Sequence, residues 1–534
     1  MLSRLRFRSR PEQGAALAQG SRTLAPAVPA LRLGLSRAGL LAFASEWWGL
    51  GLAALFGLLV GLDFARAPAI LAPAYDDSYI TLNFARNLAE HAKLSFDGES
   101  WSTGATSPLH VVILAALIKL GFSPVFAGIG FGVLSHTTLA ASVYLLSWSI
   151  FKNRLAAVLA GLAIAVTGYA AIDVGNSLET GLFMTLVSLT MASYLLWRSP
   201  GGRALTGLLL GLAVLTRPEG IVLMPAVLVY HWLDRGEDAR FGAFVREAAV
   251  LAVPALLALA ALNLYALAVD GTLGGTANAK LRFFQENLFP FQEKMTIVGD
   301  VIGRFAGQIV PLVAFAAFAP RRKEPLLFAL FWVPVIVAYA LLFPGGLSHY
   351  FYRYQHPVLP LVAVLAGAGA AQLLTTAMTS GYVARALALA ALVIAVVPMW
   401  EQYDRHRDLY KQAAAETYAD LRAMAIDLNS IIGPNEVLAT HDIGAVGYFA
   451  DYQILDIVGL VNPKVIPYHE GRRLKKYIEG AHADYLLTFP DWDLYYIQAF
   501  AEEDPDYTLI KRYDGGPGRY YTPYLLYKIS YPEP

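Results

Sequence analysis

Two adjacent carboxylates, Asp76 and Asp77, follow directly on an apolar run and begin the stretch DDSYITLNFARN. Such a pair can supply one ionised base while its neighbour raises or shares the proton, or it can supply oxygen ligands for a hard divalent cation. The same pair suits the first turn of a solvated helix, where negative charge complements the helix dipole. Adjacency alone does not decide among these roles.

Later charged residues interrupt apolar segments. Arg217 and Glu219, in LTRPEG, divide an otherwise apolar stretch from Leu205 to Tyr230. Charges at membrane depth are costly, so they pair with each other or face a wet cavity. Glu179, in GNSLETGLF, begins another apolar segment, where a helix N-terminus would equally favour an acid. For each of these residues a structural role and a binding role stay open.

Two cations lie beside aromatic residues: Lys280 in GGTANAKLRFF and Arg353 in SHYFYRYQHPVLPL. Each alone has the features of a side chain that anchors at the lipid headgroups. Considered with the carboxylates, they form a set with a chemical meaning. A carboxylate can activate a hydroxyl while cations neutralise a departing phosphate.

The composition predicts that membrane spans position these residues. Of the 534 residues 56% are hydrophobic and 15% are charged, and the mean hydropathy is +0.48, which indicates a polytopic membrane protein. Lysine plus arginine and aspartate plus glutamate number 41 each, so the charge indicates no nucleic-acid partner. The absence of cysteine excludes disulfides, thiolate metal sites and cysteine nucleophiles.

Apolar runs of roughly 20 residues, enough to cross a bilayer, predict 11 to 12 transmembrane helices plus juxtamembrane helices within residues 41–400. Residues 1–40 are basic without an apolar core and are predicted to form a disordered cytoplasmic arm. The predicted runs lie near 47–65, 125–150, 155–172, 179–197, 204–216, 220–233, 246–269, 298–319, 325–343, 354–376 and 383–400.

The short run at 107–122 decides the orientation. If it crosses the membrane, the basic loops FKNR, RSPGGR, DRGEDARFGAFVR and PRRK face outward, against the positive-inside tendency. If it is a half-buried helix on the outer side, all four loops become cytoplasmic, and we adopt this interpretation. The acids and cations described above then share the outer face, on the extracytoplasmic side of the inner or plasma membrane.

Two segments next to the carboxylate pair have recognisable patterns. Ile80, Phe84 and Leu88 recur every four residues while Asn83 and Asn87 lie on another side, the pattern of an amphipathic helix in the membrane interface. The following FDGESWSTGATSPL is rich in glycine and small hydroxyl residues, as expected of a tight loop folded over a site, or of a simple connector.

The composition changes near residue 401, and residues 401–534 are predicted to form a small extracytoplasmic α/β domain. A helix ends at Gly433, and strands are predicted in EVLAT, YQILDIV, ADYLLTF, YTLIKRY and YLLYKIS. His441 and Asp442 follow the end of the first strand, where α/β folds often bind ligands. A solvated turn is the favoured interpretation of that pair.

Six motifs, in the same order, resemble those of the multi-pass GT-C fold glycosyltransferases that take sugar from a polyprenyl-phosphate donor. The similarity is greatest to the branch with the mycobacterial terminal arabinofuranosyltransferases, and it spans Tyr75 to about Pro463. It rests on DDSYITLNFARNLAEHAKLSFDGESWSTGATSPL, SLETGLF, LTRPEG, GTLGGTANAKL, RYQHPVLP and THDIGAVGYFADYQILDIVGLV.

The resemblance implies a transferase whose first outer loop carries the catalytic aspartate, so that Asp76 or Asp77 takes the acceptor proton in a one-step inversion. Arg217, Lys280 and Arg353 become candidates for contacting the donor phosphate, and Glu179, with Glu219 beside Arg217, for the donor and acceptor site. The candidate catalytic residues are therefore Asp76 and Asp77, and the candidates for binding donor or acceptor are Glu179, Arg217, Glu219, Lys280 and Arg353.

The family patterns EGYTSPL and PNTxxAK stand here as STGATSPL and GTANAK, so a sugar-contacting glutamate and a proline are missing. This departure bears on the donor sugar, for which the branch implies a pentofuranose such as arabinofuranose, more than on the reaction. A divalent cation assists some GT-C members, but a lone carboxylate pair does not establish one.

The sequence thus predicts a membrane glycosyltransferase that uses a polyprenyl-phosphate sugar donor and an extracytoplasmic glycan, lipid or protein acceptor. Two alternatives are a membrane transporter and a membrane-anchored glycan-binding protein. A transporter would place its ionisable groups near the bilayer midplane, in broken helices of repeated halves. No convincing internal repeat is found in the sequence.

Overall fold

The computed structural model describes residues 37–235, 241–277, 288–379, 381–469, 473–490, 497–514 and 523–531. Most of the predicted basic arm, and Lys280, therefore lie outside the described residues. The chain divides into two units, Met1–Trp48 and Gly49–Pro534. The candidate site lies wholly within the second unit.

The described chain is mostly helical up to residue 428. Its α-helices in this part are α1 Arg37–Ala65, α2 Asp76–His91, α3 Pro108–Lys119, α4 Pro124–Phe151, α5 Arg154–Val166, α6 Gly168–Ile172, α7 Thr180–Leu196, α8 Pro200–Thr216, α9 Leu223–Asp234, α10 Phe241–Asp270, α11 Phe291–Gln308, α12 Val310–Ala316, α13 Pro325–Leu342, α14 Leu359–Thr379, α15 Tyr382–Glu416 and α16 Ala423–Leu428. Short 3-10 turns occupy Pro218–Val222, Gly345–Ser348 and His356–Val358.

Six helical segments in the described part of the chain are long and apolar enough to cross a membrane: Trp47–Ala65, Pro124–Phe151, Phe241–Asp270, Pro325–Leu342, His356–Thr379 and Tyr382–Leu428. A seventh forms if α11 and α12, which meet at 74°, are one broken span. The apolar helices α3, α5, α7 and α8 have only 10 to 17 residues. The predicted 11 to 12 spans would require α5, α7, α8 and the 12-residue α9 to cross as well, with α3 as the twelfth.

Small residues let the membrane helices approach closely. A side chain on Gly367 of α14 would lie 2.4 Å from the Ala160 backbone nitrogen of α5, and one on Gly207 of α8 would lie 2.4 Å from the Val250 carbonyl oxygen of α10. Close backbone contact at small residues is how helices associate in a bilayer, since apolar burial gives little driving force there.

The carboxyl-terminal part begins without a break, because α15 runs through the predicted boundary at residue 400 and continues as a π-helical segment, Thr417–Arg422, into α16. The strands are β1 Val437–Thr440, β2 Gln453–Asp456, β3 Tyr485–Thr488, β4 Tyr507–Tyr513 and β5 Tyr524–Ile529. Between them lie α17 Gly444–Phe449, a 3-10 turn Pro463–Val465, α18 Ile466–His469, α19 Leu474–Gly480 and α20 Ile497–Glu503.

The five strands form one mixed sheet in the order β2-β1-β3-β5-β4. Strand β1 pairs in parallel with β2 and β3, whereas β5 runs antiparallel to β3 and β4. The small α/β fold predicted for this part is therefore confirmed. The carboxyl end of β1 leads directly into the loop before α17, and this loop contacts α2.

Helix α2, predicted as an amphipathic helix in the membrane interface, is mostly buried against other parts of the chain. Phe84 is fully buried, and Asn83 and Asn87, expected on a solvated side, both donate to the carbonyl oxygen of Phe96 at 2.8 and 2.9 Å. Tyr79 packs on Tyr448 of α17 with ring centroids 5.1 Å apart. The polar side of α2 is therefore occupied by the loop after it, and another side by α17.

Candidate active site

The first turn of α2 directs its two carboxylates to different surroundings. Asp77 lines a small cleft of about 40 Å³ together with Thr81, Ser107, Glu179, Arg353 and Leu460, among others. Successive helical residues are separated by about 100° around the helix axis, so Asp76 points elsewhere. The cleft thus receives Asp77 from the predicted pair.

Asp76 joins α2 to the carboxyl-terminal part of the chain. Its side chain is buried and accepts the backbone N–H groups of Gly444 and Ala445, at 2.8 and 2.7 Å, at the start of α17. Burial and the nearby Asp442 raise the pKa of Asp76 to about 8, even though the two N–H donors act in the opposite direction. A side chain at Gly444 would collide with Asp76, since its Cβ would lie 2.1 Å from the Asp76 carbonyl oxygen.

Glu179 immediately precedes α7 and lies between two arginines. Its Oε1 is 3.6 Å from Nε of Arg217, and its interaction with Arg353 is favourable. Burial raises the pKa of Glu179, but the charges of Arg353 and Arg217 outweigh burial and bring the pKa down to about 2. Glu179 is therefore a carboxylate that compensates two buried cations.

Arg353 is the least satisfied of these charges. The residue is 5% exposed, and its Nη2 donates to the Tyr354 hydroxyl oxygen at 3.1 Å, while its Nε and Nη1 find no hydrogen-bond acceptor among the described residues. Buried donors without partners are rare and costly. They indicate a place for an acceptor that arrives from outside, and an anion is the acceptor that a guanidinium prefers.

Arg217 contacts the same tyrosine. The guanidinium carbons of Arg217 and Arg353 lie 4.8 and 4.9 Å from the Tyr354 ring centroid. Nε of Arg217 donates to Oε1 of Glu219 at 2.8 Å, and the Tyr339 hydroxyl donates to the same oxygen at 3.1 Å. The LTRPEG motif is thus a buried ion pair in which Nη1 of Arg217 also has no partner among the described residues.

A second, larger cavity of about 330 Å³ adjoins the cleft and shares Thr106, Ser107, Glu179 and Arg353 with it. Its other lining residues include the apolar side chains Ala338, Leu342 and Phe343. The cavity combines two arginines with apolar walls next to α13, a candidate span. An amphiphile with an anionic head has this combination of properties.

One wall of the cleft comes from the carboxyl-terminal part. The Asp456 side chain accepts four backbone N–H groups, from Val458, Gly459, Val461 and Asn462, at 2.7 to 3.2 Å. This clamp shapes the loop that carries Leu460 into the cleft. Sequence reasoning missed Asp456, although an aspartate followed by glycine and asparagine is a signal for such side-chain-to-backbone turns.

The loop after α2 closes over the cleft through bonds to two distant elements. The Ser102 hydroxyl donates to the Val461 carbonyl oxygen at 2.5 Å, and the Thr103 hydroxyl donates to the carboxylate of Asp270, the last residue of α10. Thr276 donates to the Thr103 carbonyl oxygen at 2.7 Å. The segment therefore lines the cleft and is held between α10 and the loop after β2.

His441 and Asp442 do not form the exposed turn favoured from the sequence. They bond to each other at 2.9 Å, and Asp442 also accepts the Tyr524 hydroxyl. Burial raises the pKa of Asp442, but His441 and Tyr524 outweigh burial, and the pKa falls below its usual range. The pair lies beside Asp76 and outside the two cavities.

The arrangement of the described His, Asp and Glu side chains does not match a typical metal site. Within the described ranges, no group of three or more His, Asp or Glu side chains lies close enough together to hold an ion. Asp77 and Glu179 share the cleft, but Glu179 is already engaged by arginine.

Known proteins resemble this chain in two ways: a family model matches its carboxyl-terminal part, and solved structures share its fold. Residues 407–527 match a family model described as "Domain of unknown function (DUF8728)". None of the curated proteins matches the sequence. The domain match covers the carboxyl-terminal part, including the loop that clamps the cleft.

Solved structures with a similar fold are membrane proteins that bind lipid phosphates. ArnT from Cupriavidus metallidurans bound to undecaprenyl phosphate is 14% identical, with a TM-score of 0.53 over 93% of this chain and 100% of that chain. The oligosaccharyltransferase AglB from Archaeoglobus fulgidus, in complex with an inhibitory peptide and a dolichol-phosphate, is 13% identical, with a TM-score of 0.52 over 83% of this chain and 70% of that chain. At these identities the similarity shows that this chain shares the fold of the two proteins, and it does not resolve a particular branch.

Proposed function

We propose that this protein is an integral-membrane glycosyltransferase that moves a sugar from a polyprenyl-phosphate carrier to an extracytoplasmic glycan, lipid or protein. One observation carries the proposal: the carboxylate of Asp77 and the under-satisfied guanidinium of Arg353 line the same cleft. A base for an acceptor hydroxyl and a cation for a leaving phosphate are the two groups that the reaction needs. The fold similarity supports the lipid-phosphate donor.

In the proposed reaction Asp77 accepts the proton of the acceptor hydroxyl. The hydroxyl oxygen then bonds to the anomeric carbon as the bond from that carbon to the phosphate oxygen breaks, on the opposite face, so that the configuration inverts. The electron pair leaves with the polyprenyl phosphate, whose growing charge is neutralised by Arg353 and Arg217. Glu179 holds these arginines in place rather than contacting the phosphate.

The lipid would enter the larger cavity, because its apolar walls and its two arginines match a polyprenyl chain and a phosphate. Lys280, which lies outside the described residues, stays a candidate phosphate contact, and Asp76 stays a candidate base of lower priority because its oxygens are already bonded. We also propose that the donor sugar is a pentofuranose, as the resemblance to the arabinofuranosyltransferase branch implies, and a divalent cation stays a candidate for assisting the transfer.

The proposed topology has the cleft and the carboxyl-terminal part on the extracytoplasmic face of the inner or plasma membrane. The protein would have 11 spans: the seven candidates, the shorter helices α5, α7 and α8, and α9, whereas α3 would not cross. Two ion pairs support this topology. Arg198 and Lys323, from two different loops predicted to be cytoplasmic, both form ion pairs with Asp234 at the end of α9. The three loops therefore lie on the same side of the membrane, as the distribution of basic residues predicts.

The proposal is tested with purified protein in lipid nanodiscs, given polyprenyl-phosphate donors that carry different radiolabelled sugars and a cell-envelope extract as acceptor. We expect the D77N substitution to reduce transfer by about 100-fold or more, the usual contribution of a general base. E90Q is the matched control, because Glu90 is on the same helix with its side chain 54% exposed. Full activity of D77N would refute the proposed base.

The two alternatives make different predictions in the same preparation. A transporter would move a labelled sugar or lipid across proteoliposome membranes without forming a glycosidic product. A membrane-anchored binding protein would retain glycan without product or flux. Flux or binding without transfer by the wild-type protein, across the whole donor panel, would refute an enzymatic role.

A further inference from the structure

Two segments next to the candidate site have a backbone conformation that L-residues rarely adopt. Ser177 has φ of 52°, and Tyr350, Phe351 and Tyr352 have φ of 43°, 55° and 65°. A residue other than glycine is strained in the left-handed region, because its Cβ approaches the following carbonyl oxygen too closely. Such strain persists only where surrounding contacts over-determine the conformation.

The strained segments directly precede two site charges. Ser177 lies two residues before Glu179, and Tyr352 is the residue before Arg353. The direction of each charged side chain therefore depends on a backbone that would relax to another conformation if it were free. Contacts from the surrounding structure must therefore hold both segments.

A buried histidine holds the first segment. His110 of α3 is 1% exposed, and its Nε2 lies 3.1 Å from the carbonyl oxygen of Ser177. A carbonyl oxygen only accepts, so the ring proton is on Nε2 and is donated to the strained residue. Asn176 adds a second bond, because its Oδ1 accepts the N–H of Leu178 at 2.9 Å.

A second buried histidine holds the other segment. His356 is fully buried, and its Nε2 lies 2.9 Å from the carbonyl oxygen of Phe351, the middle residue of the left-handed stretch. By the same reasoning Nε2 donates. The other ring nitrogen, Nδ1, lies 2.9 Å from Oδ2 of Asp173, so one proton is shared between that nitrogen and the carboxyl oxygen.

Asp173 connects the two strained segments by hydrogen bonds. Its second oxygen, Oδ1, accepts the side-chain N–H of Asn176 at 2.7 Å. A continuous chain of hydrogen bonds therefore runs from Phe351 through His356, Asp173 and Asn176 to the backbone just before Glu179. Its members are buried, where unsatisfied polar groups are costly and a satisfied network is rigid.

We propose that His110, Asp173 and His356 are positioning residues that fix the guanidinium of Arg353 and the carboxylate of Glu179 relative to each other, by holding the two strained segments. The proposal rests on the proposed function only in taking a lipid phosphate as the ligand of Arg353. None of the three residues lines the cleft or the larger cavity, so they act on the two charges through the hydrogen bonds that hold the strained segments, and His110 additionally interacts electrostatically with Glu179. A displacement of about 1 Å at a binding group is enough for a large loss of function.

The test compares two substitutions at Asp173. In D173N the amide oxygen still accepts from Asn176, and the amide N–H donates to Nδ1 of a neutral His356, which keeps its Nε2 proton for Phe351. In D173A both bonds are lost. At His110 the matched pair is H110Q, whose amide nitrogen takes the place of Nε2, and H110A.

Two measurements are made on each variant in detergent. The first is hydrogen exchange of backbone amides in 349–356 and 174–180; the amides of Arg353 and Gln355 are bonded within the strained turn at 3.1 and 2.7 Å. The second is the dissociation constant of undecaprenyl phosphate. We expect D173A and H110A to exchange at least 10-fold faster in their segments and to bind the lipid about 10-fold more weakly. D173N and H110Q should stay within about 3-fold of the wild type.

The outcomes separate the two proposals. Equal exchange rates of these amides in D173N and D173A would overturn the positioning role, even if the protein transfers sugar. Exchange as slow as in the wild type in both D173A and H110A would overturn it as well. If the wild type fails to bind undecaprenyl phosphate, the proposed donor is wrong, while the exchange data still decide whether the histidines hold the strained segments. If D173A does not fold, H110A and H110Q, which sit on another helix, carry the test.

Discussion

The contact between Asp76 and α17 gives a quantitative prediction about the D76A substitution. The substitution leaves the N–H groups of Gly444 and Ala445 buried without an acceptor. Each buried donor left unsatisfied costs about 1–3 kcal/mol, so opening of this contact should become easier by about 2–6 kcal/mol. Amide exchange at Gly444 and Ala445 should then rise by about 30-fold or more, because 1.4 kcal/mol corresponds to tenfold.

The assay is hydrogen exchange read by mass spectrometry on the peptide that covers α17, in the full-length protein in detergent. D77N is the informative comparison, because Asp77 lies in the same helical turn but lines the cleft and does not bond to α17. Hydrogen exchange of the α17 peptide should therefore be unchanged in D77N. A D76A protein whose α17 amides exchange within 3-fold of the wild type would refute the assignment of Asp76 as the link between α2 and α17.

The same contact also has a defined pH dependence. The pKa of Asp76 is raised from its ordinary value of 3.8 to about 8. The folded state therefore holds a proton that the unfolded state has released, and the contribution of this group is full below pH 4 and declines as the pH rises toward 8. The wild type should lose more stability than D76N between pH 5 and pH 9, and thermal unfolding in detergent across that range measures the difference.

Two further predictions concern the cleft wall and the topology. D456A removes the acceptor of four backbone N–H groups, so we expect the β-sheet region to lose about several kcal/mol of stability and the protein to lose transfer activity. The control D451A, at an exposed position, should change neither property. Unaltered thermal unfolding of D456A would contradict the role of Asp456 in shaping the loop. Cysteines introduced at Asn153 and Arg321, in this naturally cysteine-free chain, should be shielded from an impermeant reagent added outside, and labelling of both would reverse the proposed orientation.

Local patterns were sufficient to predict the sheet of the carboxyl-terminal part. EVLAT and YLLYKIS form β1 and β5, because runs of β-branched and aromatic residues bounded by turn residues identify strands without tertiary information. Helix α2 was also predicted from its four-residue repeat. Its surroundings were not, because Asn83 bonds to Phe96, and a periodicity does not record which loop covers a polar side.

The candidate site was predicted as a set of charges and not as a geometry. Arg217, Glu179 and Arg353 were expected on one face, and the structure brings them together around Tyr354. The different surroundings of Asp76 and Asp77 could not be predicted, since the partners of Asp76 lie 368 and 369 residues further along the chain. Long-range partners of this kind leave no trace in local spacing.

The position of Leu460 has a consequence for how the protein is made. The cleft needs Asp77, near the start of the described chain, and a loop that the ribosome delivers only after every candidate span has been synthesised. Membrane insertion of the helices therefore precedes completion of the cleft. A nascent or truncated chain that ends before β2 would hold every candidate span but would lack the wall of the cleft that Leu460 provides.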